Sequence, residues 1–162
     1  MRKIIIFGNS GSGKSTLAKE LCHSNELAHL DLDTLAWELT SPPERKPLLA
    51  SEKELTEFIN SHDSWVIEGC YADLLDMAAA HSNEIIYMNL SIESCIANAH
   101  SRPWEPHKYQ SKQAQDANLG MLIDWIAQYN SRTDTFSESA HRELYDQYPG
   151  KKNMIIHNDS NI

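Results

Sequence analysis

The sequence has little of what would mark an exported, membrane-spanning or metal-stapled protein. Its three cysteines, Cys22, Cys70 and Cys95, are far apart and lack metal-ligand spacing, so they indicate neither a disulfide scaffold nor a zinc site. Its apolar runs are too short to cross a bilayer, and the run near the N terminus stops at Gly8, earlier than in a signal peptide. We therefore expect a cytoplasmic protein whose cysteines are small core residues.

Basic residues are also scarce. The chain has 14 lysines and arginines against 23 aspartates and glutamates, which gives a formal net charge of -9. Broad binding to nucleic acid needs a basic surface that displaces counterions, so direct nucleic-acid binding is not expected. We expect no membrane partner either, and a polyanionic ligand would have to be held by a local cluster of donors and cations.

What the sequence does contain is enough apolar material for one folded domain. The chain has 162 residues, 41% of them hydrophobic, so we predict a single domain over residues 1–162 with a buried core. Short apolar runs alternate with helical patterns, as in βαβ units. The predicted class is α/β, with helices on both faces of a sheet of five parallel strands at residues 3–7, 28–32, 65–67, 85–90 and 153–157.

The helices are predicted from periodic apolar residues and from capping patterns. One follows the first strand, and others cover residues 51–61, 91–100, 114–129 and 135 to just before Pro149. Ser51 and Thr135 each stand three residues before a glutamate, which is capping-box spacing and predicts a helix start at both. Residues 40–47 are predicted to be a loop because three prolines interrupt them, and residues 101–112 form a polar and aromatic loop between two helices.

The run IIIFGNSGSGKST places three of the six glycines between a predicted strand and a predicted helix. It fits G-x-x-x-x-G-K-[ST], the loop whose backbone N–H groups cradle nucleotide phosphates at a helix start. Lys14 supplies a cation for the β and γ phosphates, Ser15 a hydroxyl for Mg²⁺, and Thr16 a donor for the α phosphate. A plain glycine-serine turn would not need a lysine at that position. The predicted cofactors are ATP and Mg²⁺, bound by Gly8, Asn9, Ser10, Gly11, Ser12, Gly13, Lys14, Ser15 and Thr16.

Two strand ends beyond this loop, in HLDLDTLAW and SWVIEGCY, complete a resemblance to the small P-loop kinases of the adenylate kinase and shikimate kinase type, including the adenylate-kinase-related topology-modulation proteins. The resemblance covers nearly the whole chain and implies a P-loop NTPase fold with a short lid. It implies that Asp31 and Glu68 order water on Mg²⁺ and that Asp33 binds or deprotonates the phosphoryl acceptor. The alternative for each carboxylate is an ordinary polar residue after a strand.

The same resemblance assigns about residues 34–62 to acceptor binding and about 101–112 to the lid. Arg102 resembles the lid arginine that closes on the transferred phosphoryl group. Arg132 and Arg142 resemble arginines that contact phosphates after the lid helix, although a plain exposed helix position is as good an interpretation of Arg142. Four more side chains of the lid could cover the base or the acceptor: Trp104, His107, Lys108 and Tyr109.

Two departures from the adenylate kinase pattern concern the acceptor. Asn98 stands where those enzymes have a base-stacking arginine, and GCYADLL has no arginine of the kind that grips an acceptor phosphate. AMP is therefore a doubtful acceptor. Arg45 and Lys46 of the proline-rich loop could instead supply a cation for another anionic acceptor, and Tyr71 could face the acceptor pocket.

The predicted function is an ATP- and Mg²⁺-dependent phosphotransferase that moves the γ-phosphoryl group to a small-molecule acceptor, with Lys14, Asp33, Arg102 and Arg132 as catalytic residues. The alternative is a nucleotide-binding regulator or partner-binding ATPase without a dedicated acceptor. A GTPase switch is disfavoured because no N-K-x-D motif follows the phosphate loop. The sequence is compatible with a monomer or a homodimer.

Overall fold

A computed structural model describes residues 1–37 and 44–158, and its centre is a five-stranded sheet. All neighbouring strands are parallel, in the order β2-β3-β1-β4-β5. The strands are β1 (Lys3–Gly8), β2 (Ala28–Asp31), β3 (Trp65–Gly69), β4 (Glu84–Met88) and β5 (Lys151–Ile155). The predicted α/β class is confirmed, and β5 lies two residues earlier than predicted. Part of the predicted proline-rich loop, residues 40–43, lies outside the described residues.

Seven helices connect or flank these strands in the described residues. They are α1 (Lys14–Asn25), α2 (Asp33–Ala36), α3 (Leu48–Ser61), α4 (Ala72–Ala79), α5 (Ile92–Ser101), α6 (Lys112–Ala127) and α7 (Glu138–Gln147). The short helices α2 and α4 were not predicted. None of the helices in the described ranges has both the length and the apolar character of a membrane span.

The start predicted for α3 at Ser51 is wrong. The helix begins at Leu48, after Pro47, and Ser51 lies buried in its first turns. The Ser51 hydroxyl donates to the backbone oxygen of Leu35 at 3.0 Å instead of capping the helix. A serine three residues before a glutamate has capping spacing, but here the packing of α3 against α2 uses the hydroxyl elsewhere.

The start predicted for α7 at Thr135 is also wrong. Ser137 is the capping residue, and its hydroxyl accepts a hydrogen bond from the backbone N–H of Ala140 at 3.1 Å. The Thr135 hydroxyl instead accepts from the backbone N–H of Asp73 at 2.8 Å, which gives a partner to one of the free donors in the first turn of α4. Thr135 therefore joins the loop before α7 to the segment that follows β3.

The core has two layers because successive residues of a strand face opposite sides of the sheet. Ile4 and Ile6 of β1 pack with residues of α1, α5 and α6, whereas Ile5 and Phe7 pack with residues of α3, α4 and α7. The strands β1, β3 and β4 are almost fully buried, as expected for a parallel sheet covered on both faces.

The sheet register decides which polar residues meet. β1, β2 and β3 run parallel, so their carboxyl ends lie along one edge of the sheet. Asp31, at the end of β2, pairs in register with Glu68 of β3, and Phe7 of β1 pairs with Gly69. The loop that follows β1 is therefore placed beside both acidic strand ends.

Candidate active site

The glycine-rich loop after β1 has the backbone conformation that its glycines predict. Gly11 and Gly13 have φ values of +79° and +90°, a region that residues with a Cβ rarely adopt. A Cβ on Gly11 would lie 2.4 Å from the backbone oxygen of Cys95, so the loop also passes too close to α5 for a larger residue. Helix α1 begins directly after Gly13, without a side-chain cap.

Three asparagines fix this loop to its surroundings, two from other parts of the chain and one from the loop itself. Asn98 donates to the backbone oxygen of Gly11 at 2.8 Å, and Asn158 donates to that of Ser12 at 3.1 Å. Asn9 is buried and donates to the backbone oxygen of Ile126 at 3.2 Å, which joins the loop to α6. Asn98, at the position where the resemblance leads us to expect a base-stacking arginine, therefore supports the glycine-rich loop.

The loop fits an anion. Within residues 1–37 and 44–158, the backbone N–H groups of Gly11, Gly13 and Lys14 have no hydrogen-bond acceptor. The Lys14 ammonium donates to the backbone oxygen of Asn9 at 2.7 Å, so it is held against the loop. Free N–H groups, an uncapped helix start and an adjacent ammonium are together the chemistry that suits a phosphate group.

Glu68 is the buried carboxylate expected next to this loop, and its side chain is only 2% exposed. One of its oxygens accepts from the Ser15 hydroxyl at 2.8 Å and the other from His29 Nε2 at 2.7 Å. A buried carboxylate needs such partners. His29, which no sequence pattern singles out, is one of these partners.

The residues present fit Mg²⁺ only as an ion that a nucleotide brings with it. The described parts of the chain contain no cluster of three or more acidic, histidine or cysteine side chains able to hold a metal alone. Mg²⁺ usually keeps several waters and takes its other ligands from one or two protein groups and from substrate phosphates. The Ser15 hydroxyl beside Glu68, with Asp31 on the neighbouring strand, provides such a set.

Lys108 joins the acidic pair Asp31 and Asp33 to residues 101–112, the predicted lid. The Lys108 ammonium lies 2.8 Å from Asp33 Oδ2 and 3.3 Å from Asp31 Oδ2. Asp31 Oδ1 accepts from the backbone N–H of Asp33 at 2.9 Å, which fixes the turn between β2 and α2. Lys108, predicted only to cover the base or the acceptor, lies at the centre of this ion-pair cluster.

The environment moves the pKa values of these two carboxyl groups in opposite directions. Burial and the neighbouring Asp33 charge raise the pKa of Asp31. Burial acts in the same direction on Asp33, but the Lys108 ammonium and its hydrogen bond outweigh it, so the pKa of Asp33 is lowered. Burial lowers the pKa of Lys108, but the charges of both aspartates raise it more. Asp33 is therefore held as a carboxylate and Lys108 as an ammonium ion.

Tyr71 and Trp37 complete the surroundings of Asp33. The Tyr71 hydroxyl donates to Asp33 Oδ1, and the Trp37 indole N–H donates to the Tyr71 oxygen at 2.7 Å. Both oxygens of Asp33 thus have a donor, one from Tyr71 and one from Lys108. This arrangement orients the carboxylate with respect to the sheet edge.

One cavity of about 590 Å³ is lined by the glycine-rich loop, both acidic strand ends and part of the predicted lid. Three residues of the predicted lid line it, Arg102, Glu105 and Lys108, and Arg102 lies 3.3 Å from Glu105 Oε1.

Cys70 also lines the cavity and is only partly buried, so it is not the plain core residue that we predicted. Its local environment, chiefly burial, raises the pKa of the Cys70 thiol to about 12, which keeps it protonated.

Other predicted site residues are not brought to this cavity. The Arg132 guanidinium stacks on Trp125, 3.5 Å from the ring centroid, and lies 3.2 Å from Asp134. Phosphate contact by Arg132 stays a prediction, and it would require leaving these partners. Arg142 is an exposed helix residue 3.6 Å from Glu138.

Two other side chains of the predicted lid, Trp104 and His107, are exposed. Trp104 donates through its indole N–H to the backbone oxygen of Tyr109 at 3.1 Å, within the lid itself. His107 is 46% exposed, and its Nε2 lies 4.0 Å from Asp31 Oδ2. Neither contact assigns these residues to a base-binding surface.

A buried chain of hydrogen bonds supports the segment after β3. His141 is fully buried, and its Nε2 donates to the backbone oxygen of Cys70 at 2.9 Å. Its Nδ1 is 2.7 Å from the Tyr129 hydroxyl, which is 2.7 Å from the Tyr87 hydroxyl. Burial lowers the pKa of His141 to about 4, so the ring is neutral. No sequence pattern predicts this chain of hydrogen bonds, since its members come from β4, from the residues after α6 and from α7.

The five-stranded parallel sheet, with the glycine-rich loop between β1 and α1, is a P-loop kinase-type fold. Among solved structures, the chain is similar to TT1252 from Thermus thermophilus, with 14% identity and a TM-score of 0.56 over 98% of this chain and 89% of that one. It is also similar to a sugar kinase from a Janibacter species, with 15% identity and a TM-score of 0.50 over 78% of this chain and 95% of the other. An uncharacterized protein from Eubacterium ventriosum has 15% identity and a TM-score of 0.50 over 96% and 88% of the two chains.

These similarities confirm the predicted P-loop kinase-type fold. No protein-family model matches the chain, and no curated protein matches it in sequence. At 14–15% identity the structural likeness shows the fold alone, so the reaction has to be argued from the site.

Proposed function

We propose that the protein is an ATP- and Mg²⁺-dependent phosphotransferase that moves the γ-phosphoryl group to the hydroxyl of a small-molecule acceptor. The observation that carries this proposal is a carboxylate at the cavity, separate from the phosphate loop, that could bind an acceptor. Asp33, an ionised carboxylate oriented by Tyr71, lines the same cavity as Lys14 and the phosphate loop. A nucleotide-binding ATPase without an acceptor would have no need for an oriented carboxylate at that place.

Different residues of the cavity would bind the phosphates, hold Mg²⁺ and orient the acceptor. The loop N–H groups and Lys14 bind the phosphates, and Ser15 and Glu68, with Asp31, would hold a nucleotide-bound Mg²⁺ that neutralises phosphate charge when present. Asp33 accepts a hydrogen bond from the acceptor hydroxyl and so orients it. Catalysis would rest on positioning and charge neutralisation more than on covalent chemistry.

The lid would contribute a cation and exclude water. Arg102 lines the cavity and would contact the transferring phosphoryl group once it leaves Glu105. Closure of residues 101–112 over the cavity would protect ATP from hydrolysis, which competes with transfer wherever water has access.

The test is ADP formation measured with and without a panel of nucleosides, nucleoside monophosphates, sugars and small hydroxy acids. We expect at least one compound to raise the rate well above the rate with ATP and Mg²⁺ alone. Lys14→Ala should abolish this response, while Lys53→Ala, at an exposed position of α3, should leave it intact. A rate that no acceptor changes would favour the alternative, a regulatory or partner-binding ATPase.

A second variant tests the acceptor subsite separately from nucleotide binding. Asp33→Asn should lower acceptor-dependent turnover by roughly 10²–10⁴-fold, the usual contribution of a positioned acid-base group, and leave ATP affinity nearly unchanged. Asp63→Asn, at an exposed position before β3, is the matched control. Equal losses of turnover and ATP affinity in Asp33→Asn would remove Asp33 from the acceptor subsite.

A further inference from the structure

We call the part of the cavity around Asp31, Asp33 and Glu105 the acceptor end. The cations there are already paired with carboxylates. All 14 lysines and arginines lie within the described residues. Four of them line the cavity: Lys14, Lys19, Arg102 and Lys108. Lys14 and Lys19 belong to α1, the helix that follows the phosphate loop, so Arg102 and Lys108 are the cations that the lid supplies to the acceptor end.

Both lid cations are held by acidic partners. Lys108 lies 2.8 Å from Asp33, 3.3 Å from Asp31 and 3.6 Å from Glu105, and Arg102 lies 3.3 Å from Glu105. The side chains of Asp31 and Glu105 are only 12% and 16% exposed. An acceptor phosphate or carboxylate that took Lys108 would leave the largely buried carboxylate of Asp31 without its cation, which is strongly unfavourable, and Arg102 is assigned to the transferring phosphoryl group.

The cations predicted for an anionic acceptor are not at the cavity either. Arg45 lies 3.5 Å from Asp73, with its guanidinium over the Tyr71 ring at 4.9 Å. Lys46 lies 3.0 Å from Glu54. Neither is among the residues that line the cavity. The expectation that these two residues bind an anionic acceptor therefore has no support in the structure.

Charge at the acceptor end thus has the wrong sign for an anion. Three carboxylates, those of Asp31, Asp33 and Glu105, face two cations, and Glu68 adds a fourth carboxylate at the neighbouring strand end. His107 of the lid is also turned towards this group, with its Nε2 4.0 Å from Asp31 Oδ2. A second anionic group placed here would be repelled, whereas a hydroxyl or an ammonium group would find acceptors for its hydrogen bonds.

We infer that the acceptor is a small alcohol that carries no phosphate or carboxylate group, such as a neutral polyhydroxyl compound or an amino alcohol. This inference rests on the proposed function. In the transfer, a bond forms between the acceptor oxygen and the γ-phosphorus, and the bond from that phosphorus to the β–γ bridging oxygen breaks. The hydroxyl proton passes to the Asp33 carboxylate and then to solvent, and the products are ADP and a phosphate monoester.

Acceptor pairs that differ only in an anionic group test this. We would measure kcat/KM for ADP formation with glucose and gluconate, glycerol and glycerate, and adenosine and AMP, together with ethanolamine. The non-anionic class should contain the best acceptor, and in any pair that is turned over the non-anionic member should be preferred by at least about tenfold. Preference for the anionic members would overturn the inference but leave the phosphotransferase proposal standing. Turnover with none of the acceptors, including those of the wider panel, would overturn both.

A variant of the lid tests the physical reason. Glu105→Gln removes a carboxylate that contacts both Arg102 and Lys108 and so frees positive charge at the acceptor end. The preference for non-anionic acceptors should fall several-fold, seen as a changed ratio of kcat/KM values and not as a uniform loss of rate. Glu93→Gln, at an exposed position of α5, is the matched control. An unchanged ratio in Glu105→Gln would mean that the paired cations do not decide acceptor charge.

Discussion

The buried hydrogen-bond chain behind the cavity has a direction, and that direction predicts unequal effects of two similar substitutions. The backbone oxygen of Cys70 can only accept, so His141 Nε2 carries a proton, and the neutral ring must accept at Nδ1. Tyr129 therefore donates to His141, and Tyr87 donates to Tyr129. We predict that Tyr129→Phe destabilises the protein more than Tyr87→Phe.

The magnitudes follow from counting the groups left without partners. Tyr129→Phe leaves His141 Nδ1 without a donor and the Tyr87 hydroxyl without an acceptor, and both are buried. At about 1–3 kcal/mol for each such group, the free energy of unfolding should fall by at least about 2 kcal/mol. Tyr87→Phe removes only a donor to Tyr129, which keeps its own bond to His141, and should lower it by about 1 kcal/mol.

The double variant gives the sharpest contrast. With Tyr87→Phe already present, Tyr129→Phe leaves only His141 unsatisfied, so the two changes together should destabilise less than the sum of the single changes. Chemical denaturation of the four proteins would measure this, with Tyr145→Phe as a control at a partly buried tyrosine of α7. Strict additivity, or a larger effect of Tyr87→Phe, would refute the assigned direction.

Three further predictions concern the same structure. Because the pKa of His141 is lowered from 6.5 to about 4, the unfolded chain binds a proton in that interval that the folded chain does not. The contribution of neutral His141 to the free energy of unfolding should be complete above pH 6.5 and be lost as the pH falls towards 4. In His141→Gln, chemical denaturation should show that the free energy of unfolding depends less on pH over this range. Gly11→Ala should destabilise by about 1–3 kcal/mol, since a Cβ would meet the Cys95 backbone oxygen, whereas Gly120→Ala in open space on α6 should stabilise by about 0.4–1 kcal/mol in thermal denaturation. Arg102→Ala should lower turnover more than ATP affinity, and weakened ATP binding alone would disprove the lid assignment.

The fold could be predicted because its signals are local. The apolar runs of β1 and β4 and the glycine-rich loop between β1 and α1 each specify their conformation within a few residues. Helix α4 was missed because it has only eight residues, too few for a clear helical period. The starts of α3 and α7 were misplaced because Ser51 and Thr135 have capping spacing, while their hydroxyls form tertiary hydrogen bonds instead.

The candidate site could be predicted only where a motif carries the residue. Asp31 and Glu68 stand at strand ends that register brings together, and Lys14 belongs to a loop with a fixed pattern. His29 precedes Asp31 by two residues on the same edge strand, but nothing local indicates that it bonds Glu68. Lys108 contacts Asp33 from the predicted lid, and no local pattern indicates a contact between residues so far apart in sequence.

The most direct test of the central claim is to identify the phosphorylated product. The protein would be incubated with ATP, Mg²⁺ and the best acceptor of the panel, and ADP, inorganic phosphate and phosphorylated acceptor would be quantified together by ³¹P NMR and mass spectrometry. Phosphoryl transfer predicts one phosphate monoester of the acceptor for each ADP formed, with little inorganic phosphate. Inorganic phosphate equal to ADP, with no phosphorylated acceptor, would contradict the account and identify the protein as an ATPase.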